Sequence, residues 1–110
     1  MDNIKNDEYY VGKILKDLRF IVKHMSGVGF EKLSEDELLL NAMLFSLIQV
    51  QENTKKLTEE YKADHSNIPW VDIAGLRNRI VHDYGNIDLL VVYSTLTQDV
   101  PELIAEIENN

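Results

Sequence analysis

One run of ten residues holds the densest set of side chains able to move protons and grip anions: Leu76-Arg77-Asn78-Arg79-Ile80-Val81-His82-Asp83-Tyr84-Gly85. An imidazole can pass a proton near neutral pH, and a guanidinium can clamp a phosphate through two parallel hydrogen bonds. Arg77 and His82 together are a minimal kit for transesterification of RNA. The histidine would act on the ribose 2′-hydroxyl or the leaving 5′-oxygen, and the arginine would hold the extra negative charge of the transition state. RNA brings its own nucleophile, so this chemistry needs no metal. If the segment is helical, Asn78 and His82 are four apart and share a face. Arg77 then starts about 100° around, with a long side chain that sweeps toward the histidine, and Tyr84 brings a phenol to the same space. A structural role is equally open on spacing alone: Arg77 pairs with Asp83 or another carboxylate, and His82 caps the helix C-terminus, where a cation is favoured.

Those residues need a scaffold. Val11, Ile14, Leu15, Leu18, Ile21, Val22 and Met25 recur in steps of three and four, which predicts an amphipathic helix from about Ile4 to Met25, ended by Gly27 and Gly29. Ser34-Glu35-Asp36-Glu37 predicts a capping box opening a second helix, from Glu35 to about Asp64. From Leu38 to Val50 that helix is apolar nearly all round, which places it in the middle of a bundle or across a subunit interface. Its polar half spaces Glu52 and Lys56 for an i,i+4 pair. After a Ser66-Asn67 loop, Pro69 suits the first turn of a third helix, with Asp72 complementing the dipole there. That helix is expected to reach Tyr84 and stop at Gly85-Asn86. Asp88 then opens a final helix, carrying Leu89, Leu90, Val92, Leu96, Val100, Leu103, Ile104 and Ile107, which Pro101 should kink or split. Four long helices on short loops predict an all-α, up-and-down four-helix bundle with a kinked last helix, one domain over residues 1–110.

Composition narrows the class. At 110 residues, 45% hydrophobic and with a mean hydropathy of -0.23, the chain reads as an ordinary soluble domain able to bury a core. It has no cysteine, so disulfides and thiolate metal sites are excluded, and a reducing, cytoplasmic location is expected. No secretion signal is visible, and the longest apolar run is too short to span a bilayer, so no membrane association is expected. A net charge of -8 argues against constitutive nucleic-acid binding and suits a basic protein partner. Lys13, Lys16, Arg19 and Lys23 share one arc of the first helix, most simply a solvated face. His24 and His65 lack partners at ligand spacing, Trp70 reads as a packing anchor, and Arg79 as a solvated arginine.

The motif segment resembles the HEPN signature, an arginine, four to six residues and a histidine. More narrowly it is similar to the R-x4-H-x-Y form of the HepT toxins, here Arg77, His82 and Tyr84, with Asn78 after the arginine. Ile68-Pro69-Trp70 before it, Asn86-Ile87-Asp88 after it, and Glu52 near Lys55-Lys56-Leu57 extend the likeness over nearly the whole chain. The resemblance implies a dimeric helical bundle in which two motifs face each other and form a composite ribonuclease site. Arg77 and His82 would be catalytic, Asn78 and Tyr84 supporting, with no metal and no cofactor. It implies cleavage of RNA, tRNA among the candidates, to a 2′,3′-cyclic phosphate. It also implies a partner, a small MNT-type nucleotidyltransferase antitoxin that can transfer AMP from ATP to the motif tyrosine, Tyr84. Two other functions compete: a catalytically silent HEPN subunit that binds a nucleotide or docks a nucleotidyltransferase, and a plain helical dimerisation module.

Overall fold

The computed structural model describes residues 5–81 and 86–109; His82, Asp83, Tyr84 and Gly85 lie outside the described residues. The first helix, α1 (Asp7–Met25), starts where the Asn6 side chain accepts the Tyr9 amide at 3.0 Å, satisfying one of the donors a helix leaves unpaired at its N-terminus. Ile14, Leu18, Ile21 and Met25 form its buried stripe. Gly27 then turns the chain with a φ of 74°, a left-handed conformation that costs a side-chain-bearing residue dearly. It leads into α2 (Phe30–Glu35), which is held to the core by Leu33.

The second long helix departs from expectation at both ends. Ser34 is not its cap. The short α2 already occupies Ser34, whose hydroxyl donates to the Glu31 carbonyl at 2.8 Å, and capping passes to Asp36. That carboxylate accepts the Leu39 amide at 3.0 Å and opens α3 (Glu37–Lys55). The helix also stops well short of Asp64. Thr58 starts a separate α4 (Glu59–Asp64), its hydroxyl accepting the Tyr61 amide at 3.1 Å. Asp7 fastens this break, accepting the Thr58 amide at 2.9 Å and its hydroxyl at 2.7 Å. Because α3 ends at Lys55, the expected Glu52–Lys56 pair does not form. Glu52 meets Lys55 at 3.4 Å, and the Lys56 ammonium lies over the Tyr10 ring.

The third helix is interrupted and short. It consists of α5 (Trp70–Ala74) and α6 (Leu76–Ile80), divided at Gly75, and it ends at Ile80 rather than Tyr84. Val81 is extended, bridges Ile87 in antiparallel fashion, and the Asp88 amide donates to the Ile80 carbonyl at 2.9 Å. A β-branched pair, Ile80-Val81, gives up helical backbone at little cost. Asp88 opens α7 (Leu89–Ser94) as expected, its carboxylate accepting the Val91 amide at 3.1 Å. The final helix is disturbed next to Pro101. A π-helical turn over Thr95–Asp99 separates α7 from α8 (Val100–Glu108). Proline has no amide to donate and its ring crowds the carbonyl four residues back, so a wider turn accommodates it.

These elements pack as an all-α bundle. α1 lies against α3 and α8, while α3 also carries α5 and α6. Ile14, Leu18, Ile21, Met43, Leu47, Val50, Val92 and Leu96 make up its centre, each side chain contributing about 1.5–3 kcal/mol by leaving water. No helix among the described residues is long and apolar enough to cross a membrane.

Candidate functional site

Two buried residues four apart, Leu76 and Ile80, pin α6 to the core, and this forces Arg77, Asn78 and Arg79 outward. The arginine and asparagine of the motif are therefore both solvent-facing, on the rim of the bundle. The helix has no cap of its own, because Gly75 precedes it and carries no side chain. Gln51, 5% exposed on α3, supplies one: its Oε1 accepts the Arg77 amide at 2.7 Å. At its other end the Arg77 carbonyl accepts the Val81 amide at 2.8 Å. The sequence reading missed Gln51. The signal was a polar residue on the inward stripe of an apolar helix, beside Leu47 and Val50, where a buried amide group must find a partner.

His82 and Tyr84 lie outside the described residues, so their placement relative to Arg77 is not described. Asn78 lies on α6, which ends at Ile80 with Val81 extended, and the i,i+4 relation expected between Asn78 and His82 falls on a residue outside the described ones. Val81 and Ile87, on either side of the motif's second half, form an antiparallel bridge. No carboxylate of the described residues pairs with the Arg77 guanidinium. Arg79 differs: it reaches Asp99 at 3.6 Å and Thr95 at 3.5 Å, tying α6 to the π turn.

Two clefts flank α6. A small one of about 160 Å³ is bordered by Leu44, Ile48, Gln51, Arg77, Val81 and Ile87. Beside it α3 exposes an apolar strip: Leu38 is 82% and Phe45 64% exposed, seven positions apart on one face, and Phe45 follows the cleft residue Leu44. A larger cleft of about 330 Å³ lies between α5, α6 and α8, with Asp72, Arg79, Asp99 and Glu102 among its walls. Several other aromatic and histidine side chains pack against one another. Trp70 donates its indole N–H to the Lys62 and His65 carbonyls, both at 3.1 Å, and meets Tyr61 edge-on. His65 stacks on Tyr61, whose phenol is pushed up by burial and secondarily by the charge of Asp7. His24 meets the Phe20 ring at a 50° tilt, centroids 4.4 Å apart. Tyr93 packs edge-on to Phe30.

A family model described as ribonuclease HepT-like matches residues 13–109, which covers every helix from within α1 onward. The chain belongs to the HepT-like ribonuclease family. Among its relatives, "Putative RNase TTE0752" of Caldanaerobacter subterraneus subsp. tengcongensis is 30% identical over 105 residues, 96% of this chain and 94% of that protein. "Putative RNase MJ1380" of Methanocaldococcus jannaschii is 22% identical over 86% of this chain and 87% of its own length. "Probable ribonuclease HepT" of Thermococcus cleftensis is 26% identical over 90% of each chain. No solved structure matches significantly. The HepT-like resemblance drawn from Arg77, Asn78, His82 and Tyr84 thus agrees with a match over nearly the full length.

Proposed function

We propose that the chain is the toxin of a toxin–antitoxin pair: a cytoplasmic, homodimeric endoribonuclease that cleaves RNA without a metal, with tRNA the first substrate to test. The observation that carries this reading is the setting of Arg77. It projects from a short helix whose backbone is held at both the Arg77 amide and carbonyl, in a chain of a ribonuclease family. In the proposed reaction the ribose 2′-oxygen attacks the adjacent phosphorus and the bond to the 5′-oxygen breaks. The products are a 2′,3′-cyclic phosphate and a 5′-hydroxyl. His82 takes the proton from the 2′-hydroxyl or supplies one to the departing oxygen, and Arg77 neutralises the extra charge on the phosphorus oxygens. Asn78 and Tyr84 support by hydrogen bonding.

Dimerisation is supported by the exposed apolar residues Leu38 and Phe45, which share a face of α3 next to Leu44 and Ile48 of the cleft that Arg77 borders. Such a surface on a small chain marks an interaction site. Pairing two copies across it would bring two Arg77 side chains to one seam. We assign control to an MNT-type nucleotidyltransferase that transfers AMP to the Tyr84 phenol. The added phosphate and purine would then occupy the RNA site and repel the RNA backbone.

The test is cleavage of tRNA by the purified chain. Arg77→Ala and His82→Ala should each lower the rate by about a hundredfold or more, and chelation of divalent ions should leave wild type unaffected. Undiminished cleavage by both variants, or arrest of wild type by EDTA, overturns the mechanism. Co-expression with a nucleotidyltransferase encoded beside it should add AMP-sized mass increments that vanish in Tyr84→Phe; inhibition without them would assign control to steric masking.

A further inference from the structure

We infer that Gln51 is the positioning residue for Arg77: it holds the first turn of α6 at the phase that sends the guanidinium to the scissile phosphate. The inference rests on the assignment of Arg77 to that phosphate. A five-residue helix cannot hold itself, since its opening amides have no partner within it and helix nucleation is unfavourable. Arg77 is its second residue, where an N-cap side chain would normally take the amide. Gly75 has nothing to offer. Gln51 takes that place from 26 residues away, with a short 2.7 Å bond made by a side chain that is itself buried on α3. Its neighbours on that helix, Leu47 and Val50, are core residues, so the acceptor stands on the packed centre of the bundle. Gln51 and Arg77 also border the same small cleft. The direction in which Arg77 leaves the surface is thereby referred to α3 rather than to the loop before it. Without the acceptor this part-buried amide loses its partner, and the first turn must fray or rotate to reach water. A reacting group displaced by about 1 Å loses on the order of a hundredfold in rate.

The experiment compares Gln51→Leu, which removes the acceptor, with Gln51→Glu, which keeps an oxygen at the same reach. RNA cleavage is measured beside amide hydrogen exchange on the intact chain. Gln51→Leu should lower kcat by about tenfold to a hundredfold with KM within about threefold, because the lost interaction is realised in the transition state. The Arg77 amide should lose its protection while those of Leu47 and Val50 keep theirs. Gln51→Glu should restore both the protection and most of kcat. Full kcat or a still-protected Arg77 amide in Gln51→Leu overturns the assignment, as does a Gln51→Glu enzyme that is slow with that amide protected. If Gln51→Leu fails to fold, Gln51→Asn, one methylene too short, takes its place with the same expected outcomes. A wild-type chain that cleaves no RNA would overturn the ribonuclease assignment instead, and amide exchange would still decide whether Gln51 holds Arg77.

Discussion

Arg77 and Arg79 stand two residues apart and have different surroundings. Arg79 is engaged with Asp99 and Thr95 across to the π turn, whereas Arg77 is anchored by its backbone and leaves its guanidinium toward solvent. At this scale the most direct pH dependence comes from two capping aspartates. Asp36 is held below the usual carboxylate range first by the Leu39 amide and then by Lys32, and Asp7 by the Thr58 amide and hydroxyl. A carboxylate with a depressed folded-state pKa contributes stability that is present above its unfolded value, about 3.9, and is lost as pH falls through the folded one. The wild type should therefore lose stability as pH drops from 5 to 3. Asp36→Asn and Asp7→Asn should each be less stable at neutral pH and lose less over that range. Urea midpoints across the range check this; a slope unchanged in both variants would remove the charge from the explanation.

At the scale of elements, glycine shows how the same substitution can change sign. Gly27 sits at φ 74° and Gly12 in the middle of α1, and an added Cβ meets nothing within 4 Å at either. Sterics therefore drop out and backbone preference decides. Gly12→Ala should stabilise by roughly 0.5–1 kcal/mol, since alanine loses less freedom in a helix. Gly27→Ala should destabilise by about 1–2 kcal/mol, the penalty for left-handed backbone. Thermal melts should move in opposite directions, by several degrees each for a chain of this size. The same scale explains the motif segment: α6 ends at Ile80 because the Val81–Ile87 bridge and the bond from Asp88 to Ile80 claim the next backbone groups.

For the whole molecule the question is what covers the apolar strip. Leu38 and Phe45 are seven apart on α3 and so lie on one face, and Leu44 and Ile48 beside Phe45 lead to the cleft at Arg77. A charge placed in the centre of a self-complementary interface is repeated by symmetry, so it is desolvated and opposed at once. Phe45→Glu should dissociate the proposed dimer and abolish cleavage without unfolding the chain, because that ring makes little of the core. Sedimentation of Phe45→Glu against wild type at micromolar concentration checks it. A variant that remains dimeric would move the interface off this strip.

Much of this was legible in the residues themselves. The all-α class, the buried stripe of α1, the turn at Gly27, the start at Asp88 and the break beside Pro101 all follow from preferences that act within about four positions, whereas Arg77 and Asn78 stood out by their chemistry and by the family resemblance. Other features were decided only in three dimensions. α3 ends at Lys55 with Thr58 tied to Asp7, 51 positions earlier, and α6 begins with an amide held by Gln51, 26 positions earlier. The cap passed from Ser34 to Asp36 because Leu33 found the core and drew its neighbours into α2. Local signals propose where helices can start and stop. Which of those stops is used depends on which buried backbone group finds a partner, and that partner comes from another helix.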